Sequence, residues 1–232
     1  CPPGPGAAGS PPCARDRDQG AARFMTGPRI VPCGDDALRL VMRVSDNRHL
    51  IADVLRSSGS WREVVVGRES VTVQFDPVAL QPSAATDLLK KTASMNLSDQ
   101  QSVQPEVTLT VSTDEASAPD LSTCAEANGC TIEEFLSKIH DSRLKVDMLG
   151  FAPGFAYVSG VDQSLSGGRL ENPRQRVPAG SIGFIKGSLG IYALEGPGGW
   201  PIIGRTDAVL FDKSTPDPFL LSAGTPLQIE WA

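Results

Sequence analysis

The sequence has few histidines, no closely spaced cysteine pairs and no excess of positive charge. It contains two histidines in 232 residues, and no two of its five cysteines form a C-x-x-C pair. Neither a metal site nor a disulfide framework is therefore predicted. A net charge of −6 leaves no surplus of cations for phosphates, which argues against nucleic acid and anionic membranes as partners. No apolar run approaches the length of a membrane span, and the scattered cysteines predict a reduced, cytoplasmic setting.

The first 24 residues differ in composition from the rest of the chain. Residues 1–6 read Cys-Pro-Pro-Gly-Pro-Gly, which is too rich in Pro and Gly for packed structure. No apolar segment follows that could serve as a signal peptide. The sequence therefore predicts a disordered extension over residues 1–24. Met25 stands just before the first strand-like pattern, so we expect it to be the natural start, which mass spectrometry of the native N-terminus can check.

Residues 25–95 are expected to form a small α+β domain. The periodicity indicates two strands, a helix, a hairpin and a second helix, over residues 29–41, 47–57 and 61–75 and from Pro82 onward. Ser45 or Asp46 is the expected N-cap of the first helix. This order of elements is typical of a ferredoxin-like sandwich.

The polar residues 96–105 predict a linker to a second domain over residues 106–232. Residues 107–111 alternate as a strand does, and residues 118–140 hold two helical patterns, the second with Thr131 as its N-cap. After Lys145, short strand patterns with frequent Gly and Pro favour a closed or nearly closed β-barrel. The predicted fold class is therefore α+β, with a small ferredoxin-like domain followed by a barrel.

The common catalytic constellations are missing from this second half. No histidine follows His140, so a serine nucleophile there would lack a base. Ala-Gly-Ser-Ile-Gly at residues 179–183 resembles a nucleophile elbow only loosely, and a barrel turn explains it better. Lys-Gly-Ser at residues 186–188 inverts the order that a phosphate-binding loop requires. The residues alone do not indicate a self-contained enzyme.

Arginines and glycines dominate the loops of this half. A guanidinium presents a fork of donors to carboxylate or phosphate, and glycine-rich backbone can expose N–H groups as an anion-binding nest. The group comprises Arg169, Arg174, Arg176 and Arg205, with Gly196, Gly198 and Gly199 as nest residues and Tyr192 and Trp200 as flat apolar surfaces. As a group these residues favour a binding surface.

Each of these features also has a purely structural explanation. Any single arginine could form a surface ion pair, with Glu171, Glu195, Asp207 or Asp212 as partner. His140 stands at the C-terminal end of a predicted helix, where the helix dipole stabilises a cationic ring; general base is the alternative role. The aromatic residues Phe151, Phe155 and Tyr157 are expected in the barrel core rather than in a ligand cage.

Three ordered motifs stand between Gly150 and Thr206. They read Gly-Phe-Ala-Pro-Gly-Phe-Ala-Tyr at 150–157, Pro-Arg-x-Arg-Val-Pro-Ala-Gly-Ser at 173–181, and Gly-Ile-Tyr at 190–192 followed by Pro-Gly-Gly-Trp-x-x-Ile-Gly-Arg-Thr at 197–206. With this order and spacing the chain resembles the family of 5-oxoprolinase B subunits, also called allophanate hydrolase subunit 1, from about residue 28 to the C-terminus. The resemblance implies that the barrel is cyclophilin-like.

The resemblance also implies a role within a complex. Together with the A and C subunits of a 5-oxoprolinase, such a chain would help open 5-oxo-L-proline to L-glutamate at the expense of ATP, with ATP and Mg²⁺ shared with a partner. Arg174 by motif position, and His140 as the available base, are the catalytic candidates. The substrate-binding candidates are Arg176, Ser181, Tyr192, Gly198, Gly199, Trp200 and Arg205.

Two other functions remain open within the family. One is a regulatory protein that inhibits a sensor histidine kinase, and the other is a carboxyltransferase domain related to allophanate hydrolase and urea carboxylase. The latter would need another chain, because no biotin-accepting Met-Lys-Met is present. The sequence departs from the family at Ser188-Leu189, where Gln-Thr is usual, at Leu144, and at the Gly-rich residues 165–170. These departures bear on the substrate rather than on the fold.

Overall fold

The computed structural model describes residues 29–42, 48–95 and 105–232. The predicted extension over residues 1–24, the N-cap residues Ser45 and Asp46 and most of the predicted linker lie outside these ranges. The first described elements are β1 (Arg29–Pro32), β2 (Ala37–Val41), α1 (Arg48–Ser57), β3 (Glu63–Gly67), β4 (Ser70–Gln74) and α2 (Pro82–Ala93). Each falls where the periodicity predicts it.

These six elements form a four-stranded antiparallel sheet with two helices. The strand order is β1-β2-β4-β3. Ile51, Ala52 and Leu55 of α1 are buried together with Ala85 and Leu89 of α2, so the apolar faces of both helices contribute to one core with the sheet. The element order ββαββα is a circular permutation of the βαββαβ order of a ferredoxin-like unit. The first strand, β1, thus occupies the position in the sheet that the last strand has in a ferredoxin-like unit.

The second group of elements contains most of the strands. They are β5 (Val107–Val111), α3 (Leu121–Ala127), α4 (Ile132–His140), β6 (Leu144–Leu149), β7 (Ala156–Ser159), β8 (Arg174–Val177), β9 (Ser181–Ile185), β10 (Ser188–Ile191), β11 (Gly196–Gly198), β12 (Ile202–Arg205) and β13 (Pro226–Trp231). Seven of the strands form one sheet in the order β12-β9-β10-β7-β6-β13-β5, while β8 and β11 form a separate two-stranded ribbon.

The seven-stranded sheet curls until its two edges meet. Ser112, which directly follows β5, exchanges two backbone hydrogen bonds with Arg205 of β12, with N···O distances of 2.8 and 3.0 Å. This bridge joins β5 and β12, the two edge strands of the sheet, at one point. The predicted α+β fold with a nearly closed barrel is confirmed.

The helix α4 begins at the predicted N-cap. The Thr131 hydroxyl oxygen accepts the backbone N–H of Glu134 at 3.2 Å, and a Glu134 carboxylate oxygen accepts the N–H of Thr131 at 2.9 Å. This reciprocal pair is a capping box. Phe135 of α4 then meets Phe184 of β9 edge-to-face, with ring centroids 5.2 Å apart. The helix is thereby fixed against the barrel sheet.

The two sheets have separate buried clusters, and a salt bridge connects them. Arg48 at the start of α1 is 3% exposed and pairs with Asp147 of β6. The domain boundaries expected at residues 25, 95 and 106 stay predictions. In the part of the chain that the structure describes, no helix has the length and apolarity that crossing a membrane requires.

Candidate functional site

A cavity of about 240 Å³ opens beside the ribbon formed by β8 and β11. Its wall combines aromatic rings, one arginine and glycine backbone. The lining residues are Phe151, Phe155, Tyr157, Arg169, Leu170, Pro173, Tyr192, Pro197, Gly198, Gly199 and Trp200. A concave, mainly apolar site with a few polar groups is the usual form of a small-molecule site.

Two facing glycines create the space for the indole of Trp200. Gly183 of β9 and Gly190 of β10 are directly opposite in the antiparallel register. A Cβ atom on Gly183 would lie 2.7 Å from the Cβ of Trp200, and one on Gly190 would lie 2.9 Å from Phe155 and 3.0 Å from the indole ring. The backbone can approach the ring this closely only because both side chains are missing.

The aromatic rings of the wall hold one another in edge-to-face contacts. The Phe155 ring centroid lies 5.4 Å from that of Phe151, 4.8 Å from that of Tyr157 and 4.9 Å from that of Tyr192. Tyr157 in turn meets Trp200 at 6.1 Å. Such pairs stabilise a fixed arrangement by about 0.5–1.5 kcal/mol each beyond their burial. The cavity wall is therefore formed before any ligand arrives.

The expectation that Phe151 lies in the barrel core is wrong. Its side chain is 66% exposed at the cavity rim, and its backbone has a φ of 71°. A bulky residue in the left-handed region costs about 1–3 kcal/mol and is held only by surrounding structure. Phe155 is buried and Tyr157 partly buried, but both belong to a small cluster at the cavity rather than to the main core.

A second cavity of about 320 Å³ adjoins the first. The two share Phe151, Phe155, Tyr192 and Pro197. Leu194 and Glu195 line the second cavity only, so it carries a carboxylate where the first carries a guanidinium. The two cavities are therefore neighbours, and the Glu195 carboxylate of the second is paired with Arg176.

Arg169 supplies the positive charge of the first cavity. Its guanidinium carbon lies 6.0 Å from the centroid of the Trp200 ring, within the range of a cation–π contact. Burial raises the pKa of Tyr192, while a hydrogen bond from the Trp200 backbone and the charge of Arg169 counteract the increase. The phenol is consequently protonated at neutral pH, and its hydroxyl can donate a hydrogen bond.

Four of the predicted substrate-binding residues come together in this cavity. They are Tyr192, Gly198, Gly199 and Trp200. A side chain on Gly198 would collide with the Tyr192 hydroxyl, so this glycine leaves room for the phenol. Gly196 and Gly198 pair with β8, and neither they nor Gly199 has a positive φ. The structure gives these glycines a place in the cavity wall rather than the conformation of an anion-binding nest.

The other three arginines are each paired with a carboxylate. Arg174 contacts Asp120 at 2.8 Å, and the same carboxylate accepts the Ile202 backbone N–H at 2.6 Å. Arg176 pairs with Glu195 at 2.7 Å, and Arg205 lies 3.7 Å from Asp207. The sequence predicts Glu195 and Asp207 as partners, but not Asp120. None of Arg174, Arg176 and Arg205 lines either described cavity.

His140 and Ser181 also lie outside the cavity walls. His140 is the last residue of α4, and its Nδ1 lies 2.8 Å from the Ile229 carbonyl oxygen of β13. Gln228 donates to the His140 carbonyl oxygen at 3.1 Å. Ser181 is buried at the start of β9, where its carbonyl oxygen accepts the Tyr192 N–H at 2.9 Å. Both residues support neighbouring strands, and their proposed functional roles stay predictions.

The sequence predicts a site role for only some of the residues that line the first cavity. Arg169 belongs to the arginine group but to none of the three motifs, Leu170 lies in the segment that departs from the family, and Pro173 opens the second motif without a predicted site role. The aromatic alternation at Phe155 and Tyr157 is visible, but alternation alone does not distinguish a packed interior from an open one.

Of the departures from the family, Ser188-Leu189 and Leu144 lie away from both cavities, whereas the Gly-rich residues 165–170 include Arg169 and Leu170 of the first cavity. Leu189 is fully buried in the main barrel core, and Ser188 pairs with strands on both sides; neither lines either cavity.

Across residues 29–42, 48–95 and 105–232, no group of three or more His, Cys, Asp or Glu residues could hold a metal ion. The site chemistry available is thus aromatic contact, hydrogen bonding and one cation.

The chain is similar in sequence to a protein family and to a 5-oxoprolinase subunit. A family model described as "Carboxyltransferase domain, subdomain C and D" matches residues 28–221. The B subunit of the 5-oxoprolinase of Haemophilus influenzae is 34% identical over 201 residues, which cover 84% of this chain and 93% of that protein. The similarity therefore extends through both sheets.

Solved structures share the fold. The protein TTHA0988 matches with a TM-score of 0.72 and 26% identity, over 84% of this chain and 40% of its own. The urea amidolyase of K. lactis matches with a TM-score of 0.62 and 19% identity, over 88% of this chain and 15% of its own. The second likeness shows the fold alone, because folds recur with unrelated functions.

Proposed function

Since the chain belongs to the carboxyltransferase domain, subdomain C and D, family, we propose that it acts as the B subunit of an ATP-dependent 5-oxoprolinase. In this role it helps convert 5-oxo-L-proline to L-glutamate, as a hydrolase that is active only with the A and C subunits. One observation carries the proposal. A relative named as a 5-oxoprolinase B subunit is 34% identical over 93% of its own length, so the likeness is not confined to one motif.

The aromatic cavity is the proposed substrate site. Its volume of about 240 Å³ lies below the roughly 300–1,000 Å³ of sites for drug-sized ligands, which favours a small cyclic metabolite. The flat walls of Tyr157 and Trp200 match a five-membered ring, and the protonated Tyr192 hydroxyl can hydrogen-bond a lactam oxygen. Arg174 and His140 stay proposed catalytic residues, although neither lines this cavity.

The residues that line the cavity do not fit a nucleoside triphosphate. Phosphoryl groups are bound by several cations or by glycine-rich loops with Mg²⁺, whereas this cavity presents one guanidinium. We therefore assign ATP and Mg²⁺ to a surface that another chain of the complex supplies. This assignment makes the chain one part of a divided active site.

Exposed apolar side chains support the need for a partner. Phe151 and Leu194 stand at the cavities, and the neighbouring segment 208–221 exposes Val209, Phe219 and Leu220. Phe211 of this segment lies against Gly154, so the segment adjoins the loop that carries Phe151. Contiguous exposed apolar surface usually marks an interaction site. We propose the C subunit as its occupant, in a cytoplasmic complex, as the scattered spacing of the cysteines in the sequence suggests.

Reconstitution tests the proposed function. The chain is mixed with its cognate A and C subunits, and glutamate release from 5-oxo-L-proline is followed with and without ATP, omitting each chain in turn. We expect ATP-dependent release that disappears when this chain is omitted. A stable complex of all three chains that releases no glutamate would show that the substrate is a different one.

A further inference from the structure

Arg169 differs from the other three arginines of the loop surface. Each of those forms a salt bridge, with Asp120, Glu195 or Asp207. Arg169 forms none with any residue in the described ranges, although it lines the aromatic cavity and stands over Trp200. The lining of this cavity contains no carboxylate either. The guanidinium of Arg169 is therefore available to the carboxylate of a ligand.

We infer that Arg169 anchors the carboxylate of a small cyclic monocarboxylic acid whose ring occupies the aromatic cavity. The anchor is assigned to Arg169 rather than to Arg174, Arg176 or Arg205, which the family motifs suggest. Naming 5-oxo-L-proline as that acid rests on the proposed function; the class of ligand does not.

The backbone on both sides of Arg169 is held in place. The Gly167 carbonyl oxygen accepts the Lys186 N–H at 3.0 Å, and the Leu170 N–H donates to the Gly199 carbonyl oxygen at 2.8 Å. One residue earlier, Ser166 exchanges hydrogen bonds with the side chain of Asn128, at 2.6 and 2.9 Å. Arg169 therefore extends from a fixed loop, so that binding a ligand orders its side chain but does not require the backbone to be ordered as well.

The charge and shape of the cavity define the ligand class. A single guanidinium matches a single carboxylate in its two-donor geometry. The rings of Tyr157, Tyr192 and Trp200 leave apolar walls for a flat ring, and the Tyr192 hydroxyl supplies one further hydrogen bond. A ligand with several phosphates would bring more negative charge than these residues can balance. A small ring with one carboxylate therefore matches both the single guanidinium and the apolar walls of the first cavity.

Calorimetric titration of the full chain tests this inference. The probes are 5-oxo-L-proline, 2-furoate as a second flat cyclic acid, and 2-pyrrolidinone as the neutral lactam without a carboxylate. Arg169→Gln removes the cation, and Arg143→Gln is the matched control at an exposed arginine outside the cavity. We expect Arg169→Gln to weaken binding of the acids about tenfold, since a charge-assisted hydrogen bond is lost at an exposed site. Binding of 2-pyrrolidinone should not change, and Arg143→Gln should behave as wild type.

The results separate this inference from the proposed function. If 2-furoate binds in an Arg169-dependent way and 5-oxo-L-proline does not, the anchor stands and the proposed substrate fails. If the reconstituted complex releases glutamate with the same KM in wild type and Arg169→Gln, the proposed function stands and the anchor is overturned. The anchor is equally overturned if neither acid binds the wild-type chain at up to about 10 mM. Circular dichroism confirms that each variant is folded.

Discussion

At the residue scale, the cavity depends on positions that carry no side chain. Gly183 and Gly190 face each other across β9 and β10, and together they admit the Trp200 indole. A functional wall is thus formed by two glycines in strand interiors, where glycine itself weakens a sheet. The loss of strand stability is offset by the packing of a large aromatic ring.

We expect Gly190→Ala to destabilise the chain by about 1–3 kcal/mol, because the added methyl group would force Phe155 or Trp200 out of place. The urea midpoint, followed by tryptophan fluorescence, measures the loss. Gly168→Ala is the control, since a Cβ at Gly168 meets nothing within 4 Å and its φ is not positive. Equal midpoints for the two variants would show that the glycine pair does not create the space for the indole.

The arginines show where residue-level prediction from sequence ends. Their number and loop context indicate a binding surface, and Arg169 does lie with Tyr192 and Trp200 at one cavity. Which arginine is free depends on partners far away in sequence, such as Asp120, which is 54 positions from Arg174. A single sequence contains no local signal for such a contact. The role of Arg169 cannot be read from the sequence for the same reason.

At the element scale, α4 holds the barrel sheet from one side, and its first turn is defined by Thr131. We expect Thr131→Ala to cost about 1 kcal/mol, because the Glu134 N–H loses its acceptor. Thermal unfolding monitored by circular dichroism measures the change. Thr131→Ser keeps a hydroxyl at the same position and should retain nearly all the stability. A serine variant as unstable as the alanine variant would rule out the cap as the cause.

Elements with a regular pattern are predictable, and those in the motif-rich half are less so. The helices α1, α2 and α4 have apolar residues at helical spacing, and a β-branched alternation defines the hairpin of β3 and β4. By contrast, β11 reads Gly-Pro-Gly and exists through its pairing with β8. A strand of this kind depends on tertiary context, so the sequence predicts a barrel there without its individual strands.

At the scale of the whole molecule, the two sheets meet through the start of α1. Arg48 pairs with Asp147 of β6, and the next residue, His49, lies within electrostatic reach of Lys145 on the same strand. Burial, followed by the positive charges of Arg48 and Lys145, lowers the pKa of His49 to about 4. The ring is therefore neutral in the folded chain under conditions where it is charged in the unfolded chain.

This difference predicts that stability is lost on the acidic side of neutrality. The unfolded His49 binds a proton near its ordinary pKa of about 6.5, whereas the folded ring does so only near 4. Between these values the unfolded state binds more protons, so the free energy of unfolding falls as the pH falls. Because the ring is partly exposed, we expect a loss of about 1–2 kcal/mol between pH 7 and about pH 4.5. His49→Gln should lose correspondingly less. Urea unfolding at both pH values measures the free energy of unfolding of each protein. The difference between the two proteins removes the contribution of the carboxylates that titrate in the same pH range. An equal loss in wild type and variant would show that protonation of His49 does not lower the free energy of unfolding.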